Sequence, residues 1–298
     1  MKRVPIILPA LLLSVLVIGC IDLDQFITPI VFNPTELESY QLGEYKDAEL
    51  GKEVNALFPD TAITNKFEVH SFSNGKNTIY AYYLHHSYSP STTVFYCHGN
   101  THSIDNYWPR AKLLYQTGYD VFIFDYRGFG KSTGAITESG MVQDSHKALE
   151  YLVDELGVIK SEILIYGFSL GSVPAVNVAA YGDMDDAIGL VLEAPVGSVD
   201  LYVQDSTYLS LPGSFLTTYS LDNMTTIKEV SIPLLWIHGD EDTLNRMETH
   251  GQPVFDASPS AKKFAEIVKG ASHSDIPLIM GSDFSSYITE ITKFIEGE

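Results

Sequence analysis

The chain has 298 residues, 45% of them hydrophobic, enough to bury one sizeable core and more in keeping with one large domain than with two. Its formal charge of −20, from 38 acidic against 18 basic side chains, and the lack of a basic patch exclude nucleic acid as a partner. Two cysteines, Cys20 and Cys97, exclude a disulfide framework.

The chain opens with MKRVPIILPALLLSVLVIGC, a basic tip at Lys2-Arg3 followed by an uncharged run from Val4 to Gly19. That run is short of the roughly 20 residues of a membrane span and suits a secretory signal peptide over 1–19. The closing VIGC is similar to the lipobox of bacterial lipoproteins, in which Cys20 would be acylated and become the first mature residue; a plain signal anchor is the alternative. The expected location is therefore the bacterial cell envelope, with the exported chain held to a membrane through Cys20. Residues 20–62 mix acidic, amide, proline and aromatic residues without a sustained period. They read as a tether and an N-terminal extension that packs on a domain spanning 63–298.

NKFEVHSFSNGKNTIYAYYLHH (65–86) alternates polar and apolar residues around Asn74-Gly75, which predicts an antiparallel hairpin. Six short apolar runs follow: TTVFYCH (92–98), DVFIFDY (120–126), EILIYG (162–167), IGLVLEA (188–194), PLLWIHG (233–239) and KKFAEIV (262–268). Segments of helical period lie between them; Met141, Val142, Ala148, Leu149, Leu152, Val153 and Leu156 share one face, and Leu170 to Ala180 reads as a second helix. Strands alternating with helices predict an α/β fold with a mostly parallel sheet covered on both faces. Residues that do chemistry in such a sheet sit just beyond the carboxyl ends of its strands.

One serine stands at such an end. In IYGFSLGS (165–172), Ser169 lies between Gly167 and Gly171, directly after an apolar run and directly before a helix. A strand, a sharp turn and a helix would hold Ser169 in a strained conformation with its side chain projecting, and the two glycines would let strand and helix pass closely. A serine hydroxyl needs a base to take its proton and an acid to orient that base. DEDTLN after PLLWIHG offers Asp240 and Asp242, and KGASHSD after KKFAEIV offers His273. The order Ser169, Asp242, His273 marks one arrangement among the known triads. YCHGN would place the backbone N–H of Asn100, together with that of Leu170, where an acyl oxyanion forms. The histidines show no paired metal-ligand spacing, so neither a metal nor another cofactor is expected. RGFGKSTG lacks the spacing of a phosphate-binding loop.

HGN (98–100), DYRGFGKSTG (125–134), GFSLG (167–171), HGDED (238–242) and GASH (270–273) together resemble the α/β-hydrolase superfamily, and within it the BEM46-like group of serine hydrolases. The resemblance covers roughly residues 64 to 297. It implies Ser169 as nucleophile, His273 as general base and acid, Asp242 rather than Asp240 as the orienting carboxylate, and the Asn100 and Leu170 amides as oxyanion hole. It also implies that His98, Asp125 and Arg127 brace the loops. The expected function is a metal-free serine hydrolase cleaving small esters of short to medium acyl chain. An amidase or peptidase, a thioesterase, and a non-catalytic binding protein are the alternatives. The short insertion at 195–232 would form a small cap, with some of Val199, Leu201, Tyr202, Tyr208, Leu209, Phe215 and Tyr219 lining an acyl slot and the rest packing.

Overall fold

A computed structural model of the chain describes residues 24–42, 49–63, 66–86, 92–206 and 212–297. The signal-peptide segment, Cys20, Tyr208 and Leu209 lie outside the described residues. In chain order the elements are α1 (Asp24–Val31), β1 (Asn33–Pro34), α2 (Glu49–Leu57), β2 (Phe67–Asn74), β3 (Asn77–Leu84), β4 (Thr93–Cys97) and β5 (Thr101–His102). Then come α3 (Ile104–Tyr115), β6 (Asp120–Phe124), α4 (Glu138–Glu150), β7 (Ile163–Phe168), α5 (Ser172–Tyr181), β8 (Gly189–Glu193) and α6 (Val199–Ser206). The chain closes with α7 (Asn223–Thr226), β9 (Leu234–Gly239), α8 (Gly251–Ala257), β10 (Lys263–Val268), α9 (Ile276–Met280) and α10 (Ser285–Glu296).

Eight strands form one sheet in the order β10-β9-β8-β7-β4-β6-β3-β2. From β6 to β10 neighbouring strands are parallel, and β3 and β2 add an antiparallel edge. This is the mostly parallel sheet expected from the alternating runs and the α/β-hydrolase arrangement that the motif resemblance implied, each strand starting within one residue of its run. The hairpin departs from its reading in one detail: Asn74 pairs with Asn77, so the turn residues are Gly75 and Lys76. Gly75 alone takes a left-handed φ, of 62°, which puts glycine first in a two-residue turn and shifts the turn by one residue.

Successive side chains on the central strands go to opposite cores, as a period of two requires. Phe95, Phe122, Ile165 and Leu190 face one core with Met141, Ala148, Val173 and Val176 from α4 and α5. Val94, Ile123, Leu164 and Val191 face the other with Trp108 and Leu113 from α3 and Tyr287 and Ile291 from α10. Both faces are thus covered, which is why the central strands contain almost no polar residues. The helical face read as far as Leu156 is not a single regular helix: α4 ends at Glu150, and a wider turn closes with Leu156 N–H donating to the Tyr151 carbonyl.

The N-terminal extension joins these cores. Ile27, Val31 and Phe32 pack with the cap residues Val199, Tyr202 and Leu216, and Val54 of α2 packs on the opposite side with Trp108. Among the described residues no helix is long and apolar enough to cross a membrane.

Candidate active site

The site is built where β7, β9 and β10 end. After β7 the chain turns at once into a short 3₁₀ turn, Ser169–Gly171, and then α5. Ser169 has φ of +54°, a left-handed conformation costly for a side-chain-bearing residue. The flanking glycines make it possible. A Cβ on Gly167 would lie 2.7 Å from the Ala175 Cβ, and one on Gly171 would lie 2.1 Å from the Cys97 carbonyl oxygen. Strand and helix therefore approach as closely as the motif implied.

Ser169 Oγ lies 2.8 Å from His273 Nε2, and His273 Nδ1 lies 2.8 Å from Asp242 Oδ2. A carboxylate can only accept, so Nδ1 carries the hydrogen and Nε2 presents its lone pair to the serine hydroxyl. The three residues come from loops 104 and 31 positions apart in sequence, brought together because β7, β9 and β10 end on the same edge of one parallel sheet. Asp240 goes elsewhere: its Oδ1 accepts from Gly270 N–H at 2.6 Å, fastening the loop that carries His273.

Asp242 is itself firmly held. Its Oδ1 accepts from the Leu244 and Asn245 N–H groups, both at 2.9 Å, and its Oδ2 lies 3.3 Å from His238 Nε2. Burial alone would raise its pKa, but the bonds from His238 and His273 outweigh it and keep the carboxyl well below its ordinary value. His238 takes the matching tautomer, since its Nδ1 accepts from Trp236 Nε1–H at 3.0 Å and its Nε2–H is left for the Asn245 carbonyl at 2.8 Å. The contact with Asp242 makes His238 part of the acid's surroundings.

The expected braces lie where the motifs put them. His98 is fully buried, with Nε2 3.2 Å from Asp125 Oδ1, and Asp125 also accepts from the Ile104 N–H at 2.9 Å. Arg127 binds both carboxylate oxygens of buried Asp144, at 2.8 and 2.9 Å. Leu170 follows Ser169 directly and is fully buried, and Asn100, in the loop after β4, is partly buried.

Two supports had no signal in the sequence. Arg110 of α3 is buried, with Nη1 2.9 Å from the fully buried Glu193 at the end of β8. Glu193 also accepts from Tyr287 at 2.7 Å and from Tyr166, and the tyrosines are pushed far above their usual range by burial and by Glu193. From there the guanidinium lies 4.1 Å over the Phe168 ring and donates to the Ser274 carbonyl at 3.2 Å. Phe168 precedes the serine and packs on the His273 ring at 5.4 Å, so one buried cation supports both loops. The second support is His250, buried behind the cap. Its Nδ1 accepts from Gly197 N–H at 2.9 Å, leaving Nε2–H toward Asp205 Oδ2 at 3.3 Å. An arginine inside a helix and a histidine after a turn carry no local mark of such roles.

The proposed slot residues separate. Val199 and Tyr202 are buried, Leu201 and Tyr219 are partly covered, and Phe215 is 72% exposed and lines nothing. Asn223 caps this segment from below, its Nδ2 donating to the Val196 carbonyl at 2.8 Å.

A sheet of this order with a serine on a strained turn and a histidine and aspartate at later strand ends defines the α/β-hydrolase class. The comparisons agree with it. A family model described as serine aminopeptidase, S33, matches residues 88–222. The α/β hydrolase domain-containing protein aho-3 of Caenorhabditis elegans is 31% identical over 213 residues, 69% of this chain and 58% of its own length. The bem46 protein of Schizosaccharomyces pombe is 32% identical over 178 residues, 57% of this chain and 58% of its own. The chain thus spans about three fifths of the length of the curated relatives it matches. Among solved structures, the Pyrococcus furiosus esterase Pf2001 has a TM-score of 0.68 at 17% identity, covering 90% of this chain and 98% of that one. An α/β-hydrolase from Vibrio vulnificus has a TM-score of 0.66 at 19% identity, covering 88% and 96%. The chain has the α/β-hydrolase fold and is similar in sequence to the aho-3 and bem46 proteins.

Proposed function

We propose that the protein is a serine hydrolase acting on carboxylic esters of short to medium acyl chain through an acyl-enzyme. The observation that carries this reading is the continuous line Ser169 Oγ, His273 Nε2, His273 Nδ1, Asp242 Oδ2, with both links at 2.8 Å. As Oγ attacks the ester carbonyl, its proton passes to Nε2, and Asp242 stabilises the imidazolium that results. The carbonyl oxygen, now negative, takes hydrogen bonds from the Asn100 and Leu170 amides. Collapse expels the alcohol, protonated by Nε2–H, and leaves the acyl group on Oγ. Water then attacks with His273 as base, releasing the acid and restoring the serine. Every proton moves between Ser169, His273, the leaving alcohol and water.

The size limit rests on the cap. The described part of 195–232 contains only α6, α7 and two 3₁₀ turns, and the hydroxyl of buried Tyr202 accepts from Asn100 Nδ2 at 3.0 Å. Each methylene that fits gains roughly 0.8 kcal/mol, and further carbons beyond the slot add strain. Activity on p-nitrophenyl esters is expected to peak at a short or medium chain. A profile still climbing at palmitate would instead identify a long-chain thioesterase or lipase. The family description keeps peptide-bond cleavage as a second reading, tested by assaying an aminoacyl p-nitroanilide beside the esters.

The decisive experiment is labelling with a fluorophosphonate probe. Wild type is expected to react at Ser169 and Ser169→Ala not at all; an unlabelled wild type would leave a binding protein on a hydrolase fold. We further propose that the exported chain is lipid-anchored at Cys20, as VIGC suggests. Mass spectrometry of the mature amino terminus tests this, and an unmodified terminus elsewhere would refute it.

A further inference from the structure

In the proposed reaction Asn100 acts through its backbone N–H. Its other polar groups are held by distant parts of the chain. The Asn100 carbonyl accepts from Asn33 N–H at 2.9 Å, and its side-chain amide donates to the Val31 carbonyl at 3.1 Å and to the Tyr202 hydroxyl at 3.0 Å. β5, the next element, is two residues long and lies outside the eight-stranded sheet; its partner is β1, with Asn33 opposite Thr101 and Pro34 opposite His102. The loop that would position the oxyanion is therefore held by the N-terminal segment and the cap helix as well as by its origin at the end of β4.

The same segment grips the return of the cap. On α1 the positions Asp24, Ile27, Thr28 and Val31 share one face, the i, i+3, i+4, i+7 pattern, and this face points inward. Asp24 accepts from Thr217 Oγ1 at 2.7 Å, from Thr218 N–H at 2.9 Å and from the Thr218 hydroxyl. Thr28 and Tyr219 hydroxyls meet at 2.5 Å, and the Phe32 ring meets Tyr219 edge-on at 5.8 Å. An eight-residue cap helix is too short to cover a site alone, and α1 supplies a second wall of equal length.

We propose that residues 24–34 are a working part of the active site: with the cap they form a two-part lid over the acyl group, and through Asn33 and Val31 they hold the Asn100 amide in place. The proposal rests on the reading of Ser169 as nucleophile and of Asn100 as an oxyanion donor. Asn100 is then a positioning residue through its side chain as well as a donor through its backbone. The physical reason is alignment, since an oxyanion donor works only within about 2.7–3.1 Å of the developing charge. A loop released from its outer clamps keeps its N–H and loses that distance.

The test uses the full chain and two variants, with p-nitrophenyl acetate and octanoate as substrates. Asn100→Ala retains the amide N–H and removes only the clamps, so kcat should fall about 10- to 100-fold, below the full loss of a donor, with KM within about twofold. Asp24→Ala combined with Thr28→Val loosens α1 from the cap. It should change the acyl-chain preference, with KM for octanoate rising about fivefold or more relative to acetate. If Asn100→Ala does not fold, Tyr202→Phe removes one of the two side-chain acceptors and should lower kcat about threefold or more. An unchanged kcat in the Asn100 or Tyr202 variant, or an unchanged acyl-chain profile in the α1 variant, overturns the proposal. Fluorophosphonate labelling of the wild type separates the two failures: unlabelled Ser169 defeats the nucleophile reading, whereas labelled Ser169 with unaffected variants defeats only the lid.

Discussion

The strand ends that carry Ser169, Asp242 and His273 and the lid made by α1 and the cap meet over the same serine, yet they are held by different forces. The strand ends grow from a parallel sheet with both faces buried, and an internal Arg110, Glu193 and tyrosine cluster fastens two of their loops. The lid adds to its packing in the core a set of side-chain hydrogen bonds through Asp24, Thr28, Asn100 and Glu138, the last accepting from the Ser220 and Leu221 N–H groups at 2.8 Å. The triad's geometry rests on the sheet and its buried charge cluster, and the cap's position rests on its packing together with its polar contacts to α1 and Glu138. In free-energy terms the first costs several kcal/mol to disturb and the second about one per bond.

The widest gap between the two is expected in Asp242→Asn, which offers His273 an amide in place of the carboxylate. A fall in kcat of about 10⁴-fold is expected, whereas Asp240→Asn should cost less than about tenfold, because Asp240 braces only Gly270. Steady-state ester hydrolysis measures both, and equal losses would mean that the acid is misassigned. Next, Arg110→Met should destabilise the chain by about 3–5 kcal/mol in urea, because it leaves Glu193 buried without its cation. Adding Glu193→Gln should recover part of that loss; a double variant less stable than the single would show that the pair is not coupled.

A smaller effect belongs to the junction of the two regions. His250→Phe leaves the buried Gly197 N–H without its acceptor and leaves Asp205 with Arg246 but without the histidine, so a loss of about 1–3 kcal/mol is expected, with proteolysis first in the cap. No change in urea midpoint would place the cap's support elsewhere. The smallest effect is on the acid limb of stability. The folded pKa of Asp242 is depressed, so its contribution is fully present above its ordinary value of 3.8 and fades as pH falls below it. Thermal midpoints should therefore fall less steeply in Asp242→Asn than in wild type between about pH 4 and pH 2. Parallel curves would contradict the linkage.

The hydropathy pattern of the chain was enough to place the strands, because a strand buried on both faces needs a short unbroken apolar run and each run here is bounded by polar residues. Gly167 and Gly171 likewise announced the turn at Ser169, since their lack of a side chain is a local necessity of strand and helix in contact. The choice between Asp240 and Asp242 was another matter. Both follow the same strand two residues apart, and only the approach of the β10 loop decides which faces His273 and which fastens Gly270. The roles of Arg110, His250 and α1 also lie beyond local reading. A buried arginine, a buried histidine and an amphipathic turn acquire meaning from partners 53 to 194 positions away, and sequence periodicity reports only which side of an element is buried, never against what.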